Sequence, residues 1–473
     1  LQTEINQSLI AKREKGALLV ALAICLVPFN ALPYLQNVLG EMSNEGAFYP
    51  LAIAMIIWSL GAIRVFKIKV PLHRSFVLLS LFFVWIIFSA AVNSPEIAVA
   101  STKGRGGIEK LLLQIVLVFF CMLATLVVYR CMMRVPRSLA HYRRYVSISF
   151  LICGLYSVIE IAYLSGSGIA EAILANINHY IQPERLPLYP GRLRSVSGEA
   201  SWFAMYCSMV LPWLLSYLFS ESRRRWRYFI WFAYFILLVV LTKSRTAYVI
   251  TTIQFGLFCF GVMVSAGPQK THRWRVVTIF LALVLVFGLT LVNLNSSGKS
   301  LIDVFASLAS KKNMSNIARF GAQFAGYKMA LDHPVFGVGL GQYGFHVADY
   351  IPSWALVSDE IRIWISPTEG TSWAPVHNIY ARIASEAGFV GLLLWISMWG
   401  SVLLGCIRKY RSNTVASRQP DYVGLALVVS IVGVLLSGFN ADSFRFFGYW
   451  LSLGAAWAYM SQTNSQNFET QAG

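Results

Sequence analysis

Apolar runs of 18 or more residues recur from about residue 16 to residue 460, and each is long enough to cross a bilayer as a helix. Inside hydrocarbon a backbone must satisfy its own polar groups, so only helices and closed barrels span membranes. These runs are continuous and do not alternate, which excludes a transmembrane β-barrel. Only 13% of the 473 residues are charged, against about a quarter in soluble domains. The chain therefore reads as an all-α integral membrane protein. Twelve spans are expected near 16–36, 47–66, 72–92, 110–131, 144–164, 198–219, 226–243, 246–264, 274–294, 388–407, 421–438 and 443–460. The first follows Lys12, Arg13 and Lys15; no clear small-residue cleavage site follows it, so it is taken as an uncleaved span.

Orientation comes from counting cations. With a cytoplasmic N-terminus, alternate short loops hold 23 of the 39 Lys and Arg residues, including Arg64, Lys67, Lys69, Arg74, Arg130, Arg134, Arg137 and Arg223 to Arg225. Positive charge marks the cytoplasmic side, so both termini are expected there. The same bias explains the net charge of +18 without nucleic acid, and anionic membrane lipid is the expected neighbour. The seven cysteines, Cys25, Cys121, Cys131, Cys153, Cys207, Cys259 and Cys406, fall in or beside apolar spans and show no disulfide or metal spacing.

The chain thus divides into nine spans over 1–294, a loop domain over 295–387, and three spans with a cytoplasmic tail over 388–473. The loop is too long for a simple connection. It holds seven Lys and Arg against seven Asp and Glu, so any anion site in it must be built from individually placed arginines. Within it, 316–331 reads as an amphipathic helix, with Phe320, Phe324, Tyr327 and Leu331 along one stripe and Arg319 beside it. That helix either lies on the membrane surface or packs on its own domain. Asp332, His333 and Pro334 end it, and Gly337, Gly339, Gly341 and Gly344 follow. Without a preceding strand this is not a dinucleotide fingerprint; a tight turn or close backbone approach fits better.

His377 sits where this polar loop re-enters the membrane. Pro375 suits a first helical position, which would put His377 in the first turn, where the helix dipole disfavours imidazolium. A neutral histidine accepts a proton, as a general base must; the plainer reading is a hydrogen-bonded histidine at a loop boundary. Helical rotation brings Ala381, Ala384, Gly388 and Gly391 near its face, small enough for another helix or a lipid chain to approach. Glu386 falls on the opposite face and is not its partner. Arg192 and Arg194 enter the sixth span, and Arg245 lies in the short turn before the eighth. Arginine at a bilayer edge either snorkels or serves a function, and its planar fork suits a diphosphate. Glu199 either pairs with Arg192 or Arg194 or is a second acid–base group. No Asp-x-Asp triplet occurs, so the carboxylate spacing of a Mg²⁺ or Mn²⁺ site is missing and no metal is expected.

Several of these residues together resemble the O-antigen ligase and O-antigen polymerase superfamily of bacterial inner-membrane glycosyltransferases, the ligases most of all. The matching residues are Ser244-Arg245, Arg319, the run from His333-Pro334 to Gly341, His377-Asn378-Ile379-Tyr380, and Glu386, Gly388 and Gly391. The likeness covers roughly 190–395. The run Arg194 to Glu199 also looks like that of some exopolysaccharide polymerases. The resemblance implies an all-helical glycosyltransferase of the membrane C type, working without metal or cofactor. It implies transfer of a glycan from undecaprenyl diphosphate to a hydroxyl of lipid A–core at the periplasmic face. His377 carries over as the base that deprotonates the acceptor, and Arg245 and Arg319 as diphosphate ligands; Arg192 and Arg194 are added from their position. A polymerase extending the same lipid-linked glycan differs only in its acceptor. A transporter of lipid-linked glycans would need charges inside the spans, where Glu160 is the one clear acid.

Overall fold

The computed structural model describes residues 16–65, 71, 73–182, 191–220, 225–265, 314–367 and 373–462. These residues form a helical bundle with a single two-stranded hairpin, Ser101–Thr102 against Arg105–Gly106. Six described helices are long and apolar enough to cross a membrane, and Gly16–Leu26, Phe48–Leu60, Trp226–Leu241 and Tyr422–Ser437 are shorter apolar helices. The protein is a multi-pass helical membrane protein. The expected span 274–294 lies outside the described residues. The first expected span is cut short: its helix ends at Leu26, because Pro28 lacks an N–H and clashes with the preceding turn.

At the centre lies the helix Ala200–Ser220, buried on nearly every side against Arg245–Ser265 and Tyr422–Ser437. A helix apolar all round belongs in such a place. Pro212 interrupts it and leaves the carbonyl of Ser208 without its helical donor. Gln254 from the neighbouring helix supplies one, its Nε2 donating to Ser208 O at 2.7 Å and to Val429 O at 3.0 Å. Gly433 makes room for this amide: a Cβ there would sit 1.9 Å from Gln254 Nε2. Such second-helix repair is how membrane helices tolerate proline.

Glu160, the mid-span acid, is bound into the fold. Its two carboxylate oxygens accept the backbone N–H groups of Arg194 at 3.0 Å and Ser195 at 2.7 Å. Ser195 has φ +53°, and the carboxylate holds this left-handed turn in place. A buried carboxylate needs such donors, which makes Glu160 a loop clamp.

The expected amphipathic helix is present as Met314–Asp332. It packs through its small face, Ile317, Ala318, Gly321, Ala322, Ala325, Gly326, Met329 and Ala330, while Phe320, Phe324, Tyr327 and Leu331 stay exposed. Gly326 lets it approach Val376 and Ala381 closely.

Candidate active site

The glycine-rich segment after this helix locks onto the re-entrant helix by backbone alone. The helix Ile379–Ser417 breaks at Gly388, with φ 69° and ψ 179°. There Phe389 N donates to Pro334 O at 2.8 Å, outside its own helix. The freed carbonyls accept from the glycine segment: Val338 N to Ser385 O at 2.9 Å and Gly339 N to Glu386 O at 3.0 Å. A Cβ on Gly388 would lie 2.0 Å from Val335 O, and one on Gly337 would lie 2.5 Å from Ser385 O. The helix Arg74–Val92 seals the junction through Trp85 Nε1 to Ala387 O at 2.8 Å and Ser89 Oγ to Phe336 O at 2.6 Å. The glycines therefore serve close backbone approach, as their spacing predicts, and they hold the break at Gly388.

That start differs from the expectation built on Pro375. Asn378 is the N-cap: its Oδ1 accepts from Tyr380 N at 2.9 Å and Ala381 N at 3.2 Å. An asparagine satisfies orphan helix donors better than a proline three residues upstream can. His377 precedes the cap in a left-handed conformation, φ 58°, and its carbonyl accepts from Gln323 Nε2 at 3.2 Å. Its imidazole lies beside the Trp364 ring, centroids 5.5 Å apart, and Nε2 is buried without a hydrogen-bond partner among the described residues. Burial holds the ring below the ordinary histidine range; Asp442 and Glu199 oppose that shift and Arg319 reinforces it. Burial is the largest cause of this shift.

His377 lines a cavity of about 280 Å³ together with Arg319, Glu199, Trp373, Lys110 and two charged residues of the turn 440–445, Asp442 and Arg445. All the lining elements meet at one end of the bundle. Arg319 donates Nη1 to Asn440 Oδ1 at 3.1 Å, and burial lowers its pKa, with Glu199 opposing and Arg192 reinforcing. Arg245 does not line the cavity. It opens the helix Arg245–Ser265 and donates Nη2 to Asn316 Oδ1 at 3.2 Å, one turn before Arg319. Arg192 donates Nε to Thr242 O at 3.0 Å. Both add positive charge near Arg319. Arg194 is buried to 6% exposure, its backbone bound to Glu160, and it is not among the lining residues. Glu199 lines the cavity and accepts from Ser201 Oγ at 3.2 Å.

Other lining charges carry no motif in the sequence. Arg382 spends its fork on Glu386 Oε2 at 3.1 Å, Asp442 O at 2.7 Å and Gln114 Oε1 at 2.8 Å. Glu386 is accordingly the partner of Arg382 and not of His377, one turn apart on the helix. Asp442 accepts from the backbone N–H of Val376, the residue before His377. Arg445 donates to Glu41 Oε2 at 3.2 Å, faces Glu45 Oε1 at 3.4 Å and lies 4.7 Å over the Trp202 ring. Arg445 holds the Glu41 carboxyl below its ordinary range, while burial pushes Glu45 up to about 8. The sequence signal for Asp442 and Arg445 was two charges in a short turn between apolar spans, where charge is costly unless paired or functional.

Residues 230–396 match the model of a family described as O-antigen ligase. The match takes in Arg245, Arg319, the glycine segment and His377, and it agrees with the superfamily resemblance drawn from the sequence. Lys110, Glu199, Asp442 and Arg445 lie outside it. No curated protein matches the chain.

Proposed function

We propose that the protein is an O-antigen ligase: it transfers a glycan from undecaprenyl diphosphate to a hydroxyl of lipid A–core in lipopolysaccharide biosynthesis. The reading rests above all on one juxtaposition, the imidazole of His377, whose pKa burial lowers, and the Arg319 guanidinium lining one cavity. In this reaction the imidazole takes the proton of the acceptor hydroxyl. The oxygen then attacks the anomeric carbon, and the bond from that carbon to the diphosphate oxygen breaks with its electron pair. Arg319 receives the developing negative charge, with Arg245 and Arg192 behind it. Preorganised donors aimed at developing charge contribute the largest share of many rate enhancements. Arg194 stabilises the loop that carries Glu199. The site faces the periplasm, both termini lie in the cytoplasm, and the membrane is the bacterial inner membrane. No metal takes part.

A polymerase of lipid-linked repeats is the second reading, favoured by the Arg194–Glu199 run and by Glu199 lining the cavity. The two differ in acceptor. Purified protein incubated with lipid-linked glycan and lipid A–core separates them: a ligated core band supports the ligase, and longer lipid-linked chains support the polymerase. Neither product would refute both.

A further inference from the structure

We propose that Lys110, which lines this cavity, and Arg105, which lies outside the lining but on the same Trp373 ring, form a second anion subsite, which takes a carboxylate or phosphate group borne by a sugar of the glycan substrate. The proposal rests on the glycan-transfer reading for the nature of the substrate. Four side-chain cations line the cavity: Lys110, Arg319, Arg382 and Arg445. The last two are paired with carboxylates, and Arg319 is held by Asn440. Lys110 has no hydrogen bond and no ion pair among the described residues; it sits 4.4 Å over the Trp373 ring. Arg105 approaches the same ring at 5.8 Å and is likewise without either.

Two cations on one indole repel each other, and a cation–π contact returns only about 0.5–2 kcal/mol. The fold nevertheless holds them there. Lys103 and Gly104, φ 51° and 71°, form the two-residue turn that pairs Thr102 with Arg105. Lys103 Nζ ties this hairpin to Ile363 O at 2.6 Å. Trp373 is wedged against Gly344, where a Cβ would meet its ring at 2.4 Å, and against Phe345 with centroids 4.9 Å apart. Glu41, the carboxylate that most offsets the Lys110 charge, is turned toward Arg445. Trp373 and His377 end one lining segment of four residue steps, so their Cα atoms are on the order of 14 Å or less apart, and Lys110 lines the same cavity as the base.

The experiment measures binding of methyl β-D-glucuronide, glucose 6-phosphate, methyl β-D-glucoside and inorganic pyrophosphate to the purified full chain. The wild type should prefer at least one acidic saccharide over the neutral one by about tenfold, and whichever acid binds identifies the group. Lys110→Met and Arg105→Met should each erase most of that preference, while Lys110→Arg retains it, which separates loss of charge from loss of fold. Pyrophosphate binding should be unchanged in Lys110→Met and weakened in Arg319→Lys. Equal binding of acidic and neutral saccharides overturns the proposal, as does a loss of pyrophosphate affinity in Lys110→Met. If the acidic preference stands while Arg319→Lys leaves pyrophosphate untouched, the diphosphate assignment fails and the subsite survives.

Discussion

Gly388→Ala should unlatch the glycine segment from the re-entrant helix. The backbone at Gly388, φ 69° and ψ 179°, lies in a region essentially closed to other residues, at a cost of about 1–3 kcal/mol. The new Cβ would stand 2.0 Å from Val335 O, so the two chains must part. Parting them breaks Phe389 N to Pro334 O, Val338 N to Ser385 O and Gly339 N to Glu386 O. Each is worth roughly 1 kcal/mol net. The total is about 4–6 kcal/mol, comparable with the whole stability margin of many domains. Gly400→Ala in the same helix is the control: its Cβ meets nothing within 4 Å, and alanine favours helix over glycine by about 0.5–1 kcal/mol. Thermal unfolding of the purified variants in detergent gives the answer. Gly388→Ala should melt well below the wild type and Gly400→Ala at or slightly above it. Equal midpoints for the two variants would refute the interlock.

Four further outcomes follow from the site. Arg319→Lys keeps the charge but loses the fork, so it should lose most of the transfer at matched expression; full activity removes Arg319 from the site. Because burial lowers the His377 pKa, its neutral form persists below about pH 6.5, and the acid limb of the pH–rate profile should fall there. Asp442 opposes that shift, so Asp442→Asn should move the limb to lower pH; an unmoved or raised limb contradicts the assignment. The same sign holds for stability: below about pH 6.5 the unfolded chain binds the proton that buried His377 resists, so the fold loses stability as pH falls, and His377→Gln should blunt that loss. EDTA should leave transfer intact, and loss restored by Mg²⁺ or Mn²⁺ would overturn the metal-free mechanism.

The spans were legible because their signal is local: apolar length alone marked Arg74–Val92 or Ala200–Ser220. The loop helix was legible too, its stripe repeating at helical spacing, yet the stripe did not say which face packs. Small residues at 321, 322, 325 and 326 decided that, because they admit close approach where phenylalanines do not. Pro375 points to a helix start four residues too early, because Asn378, not Pro375, sets where Ile379–Ser417 begins. Much of the cavity was illegible for a different reason. Glu41, Lys110, Asp442 and Arg445 come from turns and helix ends far apart in sequence, each plausible alone as an interfacial charge. Arg194 shows the converse: a cation in a motif-like run whose backbone serves Glu160.

In the proposed glycan transfer His377 is the base. The most direct test is the single-turnover rate of purified wild type and His377→Ala with saturating lipid-linked glycan and lipid A–core, after unfolding midpoints have matched the two proteins. Loss of a general base costs on the order of 10²–10⁴ in rate, and a fall of that size is the predicted result. A His377→Ala rate close to the wild type would contradict the account.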